Sequence, residues 1–397
     1  MTFERQVLIW MCILIFVNQL GFGVMVPSLP LYAETFGVSS TAIGGAIAIY
    51  GLARFVIAIP SGQVSDKWGR KPALAIGGLL AALGNFLSVY AESYPEFLIA
   101  RFLSGAGAGM VVTTGTVILA DITTPARRGR VIAIYQGTFI FAVGIGPFPG
   151  GLLAHHYGLL APFWFCGVAS LLAGLLALFA VPETRHLAQS KVVTGTKLPP
   201  LAVQLKMLWK NIGFVLVSGV ALAHALTRTG GLFNIIPIIG SFRIKLPYDE
   251  IGVALAIGSL MGLCAVYPAG MAVDRWGRKV VIVPFTLITG ASFLLFAFAD
   301  TFLFFAAANA LWGIASGIGG SAPAAYAADS APPGMNASAM SLFRMLGDIG
   351  YVIGPILMGV IVDIHGANTA LFLATFILFS IGIAFARFAP ESYKRGM

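Results

Sequence analysis

Long apolar runs alternate with short polar breaks along the whole chain, and about twelve such runs can be read. They lie at approximately 7–32, 40–61, 72–91, 95–119, 130–154, 160–181, 208–240, 249–269, 279–299, 302–327, 337–361 and 367–388. Each is close to the roughly 20 residues that a helix needs to cross a bilayer core. The longest break starts at Glu183 and carries Gly195, Pro199 and Pro200 among polar residues, so it reads as a linker. The expected domains are therefore 1–182, a linker at 183–207, and 208–397. The expected fold is an all-α membrane protein with twelve transmembrane helices in two pseudo-symmetric six-helix bundles. The first run follows Met1 to Arg5 directly and is longer than a signal-peptide core, so it is taken as the first span and not as a leader.

The two halves repeat each other. A shift of 208 residues brings Gly62, Asp66, Gly69, Arg70 and Lys71 onto Gly270, Asp274, Gly277, Arg278 and Lys279. Pro60 falls on Pro268, Asp121 on Asp329, and Gly146-Pro147 on Gly354-Pro355 with the same offset and no gap. Self-similarity in register marks a duplicated half. When each half is a string of apolar segments, the pattern implies two bundles with a substrate path at their interface.

Composition sharpens the class. Hydrophobic residues make up 58% of the chain and charged residues 10%, with mean hydropathy +0.91, against roughly 25% charge in an ordinary soluble domain. If the first loop faces outward, the outer loops hold only Arg243 and Lys245, and the basic residues of 1–6, 62–71, 121–130, 183–210, 270–279 and 387–395 lie inside. The positive-inside rule then places both termini in the cytoplasm. The net charge of +9 suits anionic lipid headgroups and requires no nucleic acid partner. The expected setting is a bacterial inner membrane, with a monomeric chain as the working unit.

Charges left inside the runs are the sharpest chemical signal: Arg54, Arg101, Arg228 and Arg344, with Asp348 as the one clear acid. Each costs on the order of 3 kcal/mol in hydrocarbon even on mild scales, so each should face a cavity or a partner. The third, sixth, ninth and twelfth runs lack such charges and read as outer, lipid-facing helices. Arg54 lies eight residues before Gly62, about 12 Å along a helix, near mid-membrane. His224 and Arg228 stand one turn apart, with room left by Gly231. Arg344 and Asp348 have the i,i+4 spacing that lets side chains meet on one face. Asp348 is either a structural partner of Arg344 or a proton carrier once released from it. Arg54 and Arg228 either bind an anionic group of a substrate or bond to backbone carbonyls, and His224 is either a polar wall residue or part of a proton cycle.

For a substrate wall, Asn18, Phe22 and Met25 share a helical face in the first run. Asn309 replaces Arg101 in the second half and Trp312 follows it by three residues. The 30 Phe and 12 Met offer the adaptable apolar surface that promiscuous binders use.

The segment Gly62-Gln63-Val64-Ser65-Asp66-Lys67-Trp68-Gly69-Arg70-Lys71 resembles the signature loop of the major facilitator superfamily, and the copy at Gly270 strengthens the likeness. Arg101 with Ser104 and Gly105 resembles the family's RxxQG motif, with Ser in place of Gln. Gly146-Pro147-Phe148-Pro149-Gly150-Gly151 resembles the end of the GPxxGG motif of the twelve-helix drug/proton antiporter branch, although two upstream glycines are here Ala133 and Ala142. The resemblance covers the whole chain. It implies alternating access and proton-coupled export of amphiphilic small molecules. It also implies a cytoplasmic latch at Gly62, Asp66, Gly69, Arg70 and Lys71 repeated at Asp274, Gly277 and Arg278, and a coupling role for Arg101; Asp348, Arg344 and His224 join it as proton-coupling candidates on the ground of their charge within the runs. Gly146, Pro147, Gly150 and Gly151 would shape a kink in the fifth span. Transport of an organic anion or lipid-like metabolite is the alternative, and a membrane sensor without transport is the reading from another class.

Enzyme chemistry has no foothold: there is no Walker loop, no Cys or His metal spacing and no Ser/His/Asp arrangement. No cofactor or metal is implied. Cys12, Cys166 and Cys264 all lie in apolar runs and define no disulfide framework. His155 and His156 sit at an outer helix end, where a hydrated surface accounts for them, and Pro182-Glu183-Thr184-Arg185 resembles a sugar-porter motif that related exporters share.

Overall fold

The computed structural model describes residues 3–123, 125–189, 201–319, 322–331 and 336–391. Twelve helices among them are long and apolar enough to cross a membrane. In the first half these are α1 (Phe3–Met25), α2 (Ser40–Trp68), α3 (Arg70–Val89), α4 (Tyr94–Ile122), α5 (Pro125–Ile145 continued by Pro147–Tyr157) and α6 (Ala161–Phe179). In the second half they are α7 (Ile212–Thr227 and its continuation to Arg243), α8 (Tyr248–Trp276), α9 (Arg278–Ala297), α10 (Phe302–Gly319 with Ala322–Asp329), α11 (Asn336–His365) and α12 (Ala367–Phe388). Short helices at Leu29–Glu34, Arg185–Gln189 and Leu201–Lys210 connect them.

The chain forms two compact units. The first comprises Met1–Val38, Gly45–Thr194 and Pro247–Gly252, and the second Ser39–Gly44, Gly195–Leu246 and Val253–Met397. The two short exchanged segments have local causes. In the first unit, His155 Nδ1 lies 3.1 Å from Asp249 Oδ1, and Gly151 packs on the backbone of Tyr248 and Gly252. In the second, the Asp363 carboxylate accepts hydrogen bonds from the N–H groups of Ser40 at 2.7 Å and Thr41 at 2.8 Å, satisfying donors that the start of a helix leaves unpaired. These attachments are equivalents under the repeat, since a 208-residue shift carries Thr41 onto Asp249 and His155 onto Asp363.

Small residues let the helices approach closely, as lipid-solvated packing favours. A side chain on Gly84 or Gly107 would strike the backbone at Ser104 or Ala81, which fixes α3 against α4. The core of the first unit gathers Met11, Leu14 and Ile15 with Leu74, Val111, Leu119 and Tyr135, and that of the second gathers Phe214, Val217, Val281, Tyr326 and Phe385. Leu79, Leu83 and Leu87 on α3 form an exposed stripe at four-residue spacing, and Val168, Leu172, Leu175 and Phe179 form one on α6 at spacings of three and four. These are the faces expected to meet lipid.

Candidate functional site

In the first unit, Asn18, Phe22 and Met25 fall on one face of α1 and border a small, water-sized cavity. The other walls are Tyr50 of α2, Ala81 and Asn85 of α3, Ser104 and Ala108 of α4, and Cys166 and Ser170 of α6. Ser104 Oγ donates to Asn85 Oδ1 at 2.9 Å, and Asn85 Nδ2 donates to Ser170 Oγ at 3.4 Å. Arg101, 1% exposed, lies beside this cavity. Its Nη1 reaches Met25 Sδ at 3.4 Å, and its guanidinium carbon stands 4.6 Å from the centroid of the Tyr50 ring. Tyr50 in turn stacks on Phe22 with centroids 5.3 Å apart. A desolvated cation over an aromatic face gains about 2 kcal/mol, which helps to hold a guanidinium in so buried a place. The structure thus gathers Asn18, Phe22, Met25 and Arg101 into one cluster. Tyr50, Asn85 and Ser170 complete it and escaped the sequence reading; Asn85 and Ser170 sit on helices read there as simple outer helices.

At the α2/α3 junction Gly69 has φ 110°, a conformation open to glycine, and a side chain there would also strike the Glu183 carboxylate. Arg70 Nε donates to Asp121 Oδ2 at 2.9 Å, and its Nη1 binds Ser65 and Asp66. Glu183 Oε1 accepts the N–H of Arg70 at 2.9 Å and Oε2 that of Lys71 at 3.1 Å, capping the start of α3. Burial pushes the Glu183 carboxyl up, but the N–H groups of Arg185, Arg70, Lys71 and Thr184 outweigh it and hold it below the usual carboxylate range. Gly62 lies within α2 with open space beside it.

The α8/α9 junction copies this arrangement. Gly277 has φ 97°. Arg278 Nε donates to Asp329 Oδ2 at 3.2 Å, and Glu391 accepts the N–H groups of Arg278 and Lys279, both at 3.1 Å. The side chain of Asp274 lies outside the described residues. Glu183 and Glu391 are also 208 residues apart, a signal present in the sequence and missed because Glu183 was read as the first residue of a linker.

The charges in the second unit are more open. Arg228 is exposed and starts a π-helical stretch, Arg228–Ile235, with its guanidinium 5.9 Å from the Phe233 ring. Such wide turns are rare and frequently mark functional sites. His224 Nε2 lies 3.2 Å from Thr286 Oγ1. The expected meeting of Arg344 and Asp348 is not found: no ion pair joins them, and neither has a hydrogen-bond partner among the described residues. Matching i,i+4 spacing brings two Cβ atoms near each other but does not fix long side chains, and Arg344 extends to an exposed position while Asp348 stays half-buried. Arg54, half-buried on α2, likewise has no hydrogen-bond or ion-pair partner among the described residues. Asn309 is buried, and its Nδ2 donates to Phe305 O of its own helix at 3.0 Å. Trp312 is half-buried on the same helix.

Gly146 has helical dihedrals, φ −57° and ψ −40°, so the interruption in α5 is a gap in hydrogen bonding caused by Pro147 and Pro149, which lack donors. Side chains on Gly146 and Gly150 would strike the backbone of Gly23 and Val24, so α1 fits directly against this segment. The repeat places Gly354 of α11 against Leu226 of α7 in the same way. No group of three or more His, Cys, Asp or Glu among the described residues is placed to hold a metal.

The chain is similar to two curated proteins over nearly its whole length. It is 26% identical over 94% of its length to the uncharacterized MFS-type transporter MJ1560 of Methanocaldococcus jannaschii, covering 95% of that protein. It is 24% identical over 93% of its length to Multidrug resistance protein 1 of Bacillus subtilis, covering 92% of it. Among solved structures, the nucleoside transporter NupG superposes with a TM-score of 0.78 at 17% identity, over 97% of this chain and 98% of that one. The Major Facilitator Superfamily model matches residues 11–245 and 220–396. With these matches lying on the duplicated bundles and paired junctions, the chain belongs to the Major Facilitator Superfamily and is a multi-pass membrane transporter, not an enzyme.

Proposed function

We propose that this protein exports amphiphilic small molecules in exchange for protons, by alternating access, from a bacterial inner membrane with both termini cytoplasmic. The observation that carries the reading is Asp348. It is half-buried, about 18 Å along α11 from Asn336, and has no ion-pair partner among the described residues. An acid kept within a span without a counter-charge is costly, and proton carriage is the recurrent use of such groups. The likeness to a protein named for multidrug resistance and the apolar, sulfur-bearing wall of Phe22, Met25 and Tyr50 support an amphiphilic cargo. Arg101, packed between Met25 and Tyr50, is then poised to respond to anything that displaces Met25, and the two junctions serve as latches.

The test uses purified protein in liposomes that hold an imposed pH gradient. Lipophilic cations and neutral amphiphiles are expected to collapse the gradient, and Asp348→Asn is expected to lose that response. Collapse that persists in Asp348→Asn would remove the carrier assignment. A second reading, transport of an organic anion, draws on Arg54, half-buried without a partner among the described residues, and on exposed Arg228. Collapse by organic anions alone would favour it.

A further inference from the structure

The short helix Leu201–Lys210 belongs to none of the twelve spans, yet it presents two chemically distinct sides. Leu208 is fully buried in the core of the second unit with Phe214 and Tyr326. Lys206 and Lys210, one turn apart, are exposed, and Met207 and Trp209 beside them are 45% and 52% exposed. At 3.6 residues per turn the two lysines lie opposite Leu208, with Trp209 on one flank and Met207 on the other. The helix also has a fixed place. Asn211 follows it directly and caps α7, its Oδ1 accepting the N–H groups of Gly213 at 3.0 Å and Phe214 at 3.3 Å. Its Nδ2 donates to Ser330 O at 2.9 Å, just past the end of α10. The exposed side is thereby held at the level where α7 and α10 end.

An exposed indole and thioether are disfavoured in water, and two ammonium groups are disfavoured in hydrocarbon. The headgroup layer of a bilayer accommodates both. Charge says which headgroups suit. Between Glu183 and Asp249 the chain has no Asp or Glu, while Arg185, Lys191, Lys197, Lys206 and Lys210 all precede α7. Asp329, the acid beside the Asn211 anchor, is engaged by Arg278. The same pairing of an exposed indole with an exposed cation next to it recurs at Lys67 with Trp68, ending α2, and at Arg275 with Trp276, ending α8.

We propose that the exposed side of Leu201–Lys210 is a docking surface for anionic phospholipid, with lipid phosphates on Lys206 and Lys210 and with Trp209 and Met207 entering the boundary between headgroups and acyl chains. Lipid held there tethers the connection between the two units to the bilayer surface. The inference goes beyond the exporter reading and shares with it only the placement of this end of the chain in the cytoplasm, the side on which a bilayer presents its anionic lipids.

The experiment follows quenching of Trp209 fluorescence in the full chain in lipid nanodiscs, taken as the difference between the native chain and Trp209→Phe. Dibrominated phosphatidylglycerol or dibrominated phosphatidylcholine replaces unbrominated phosphatidylcholine in steps. Half-maximal quenching is expected at about a 25-fold lower fraction of the anionic lipid, about fivefold for each lysine near an anionic surface, and high salt is expected to narrow the gap. Lys206→Gln with Lys210→Gln should bring the two lipids together. Lys206→Arg with Lys210→Arg should keep them apart, which separates lost charge from lost folding. No quenching of Trp209 by either lipid, equal quenching by both in the native chain, or a gap that survives in a folded glutamine variant would overturn the proposal. Shielding of Trp209 from brominated lipid and aqueous iodide alike would do the same, because a second copy or another segment would then cover this face. Neither substrate nor pH gradient enters the measurement, so loss of transport leaves its result standing. Both faces of a nanodisc carry the same lipids, so a reversed orientation, read by labelling Lys206→Cys in intact cells, would sink the cytoplasmic placement and not the surface.

Discussion

The α2/α3 junction and its copy at α8/α9 use the same residue types at the same spacing but bury them differently. The side chains of Arg70 and Asp121 are 5% and 9% exposed, whereas those of Arg278 and Asp329 are 16% and 35% exposed. The first pair is also shorter, 2.9 Å against 3.2 Å between Nε and Oδ2, and Thr184 Oγ1 adds a 3.3 Å hydrogen bond to Asp121. Duplication has thus preserved a hydrogen-bond pattern without preserving its energetics. Removing Asp121 takes from buried Arg70 a partner that water cannot readily replace, even with Asp66 retained, whereas a wetter pair can exchange its partner for water. The first junction accordingly acts as the firmer of the two anchors.

The largest expected effect tests that difference directly. Asp121→Ala should destabilise the folded chain by about 3 kcal/mol, and Asp329→Ala by about 1 kcal/mol or less, read as the shift in thermal unfolding midpoint of the purified protein in one detergent. Equal shifts would break the comparison. A smaller effect, about 1 kcal/mol as for other lost helix caps, is expected for Glu183→Gln. Its pH dependence has a definite sign. The folded-state carboxyl of Glu183 is held below its ordinary value, so its contribution is complete above the unfolded-state value near 4.3 and is lost as pH falls through the folded value. Glu183→Gln should therefore lower the unfolding midpoint at pH 7 and make less difference as the pH falls below about 4. A deficit that stays constant with pH would remove Glu183 from that role.

Inside the bundles the contrast runs further. The first unit keeps Asn85, Ser104 and Ser170 around a cavity with Arg101 beside it, and the second has Phe293, Trp312 and Leu378 at the positions equivalent to those three polar residues while carrying His224, Arg228, Arg344 and Asp348 on α7 and α11. Much of this organisation is legible in the sequence. The hydropathy pattern locates the twelve spans because bilayer thickness fixes helix length, and the 208-residue repeat identifies both junctions because tight turns need glycine at fixed places. Asn18, Phe22 and Met25 were legible as one face because α1 is a regular helix at that point.

What escaped depended on side-chain direction or on helix irregularity. Arg344 and Asp348 have the spacing of a pair but no ion pair, since spacing along a helix does not choose rotamers. Asn309 occupies the position equivalent to Arg101 but turns back to its own helix, where a buried amide satisfies itself locally. Asn85 and Ser170 were overlooked because a charge inventory does not register neutral polar residues, even though two such residues in otherwise apolar helices were a usable signal. The π-helical stretch beginning at Arg228 follows from no simple period, although Gly230 and Gly231 make a wide turn there easier.

The proposed division of labour gives Asp348 the coupled proton and leaves alternating access to the rest of the chain. The most direct measurement compares two modes of transport in liposomes containing Asp348→Asn: exchange of a labelled amphiphile across the membrane with no pH gradient, and its uphill movement driven by one. Retained exchange with lost uphill movement is the predicted result. Uphill movement at the native rate in Asp348→Asn, or loss of both modes in a chain that still folds, would contradict it.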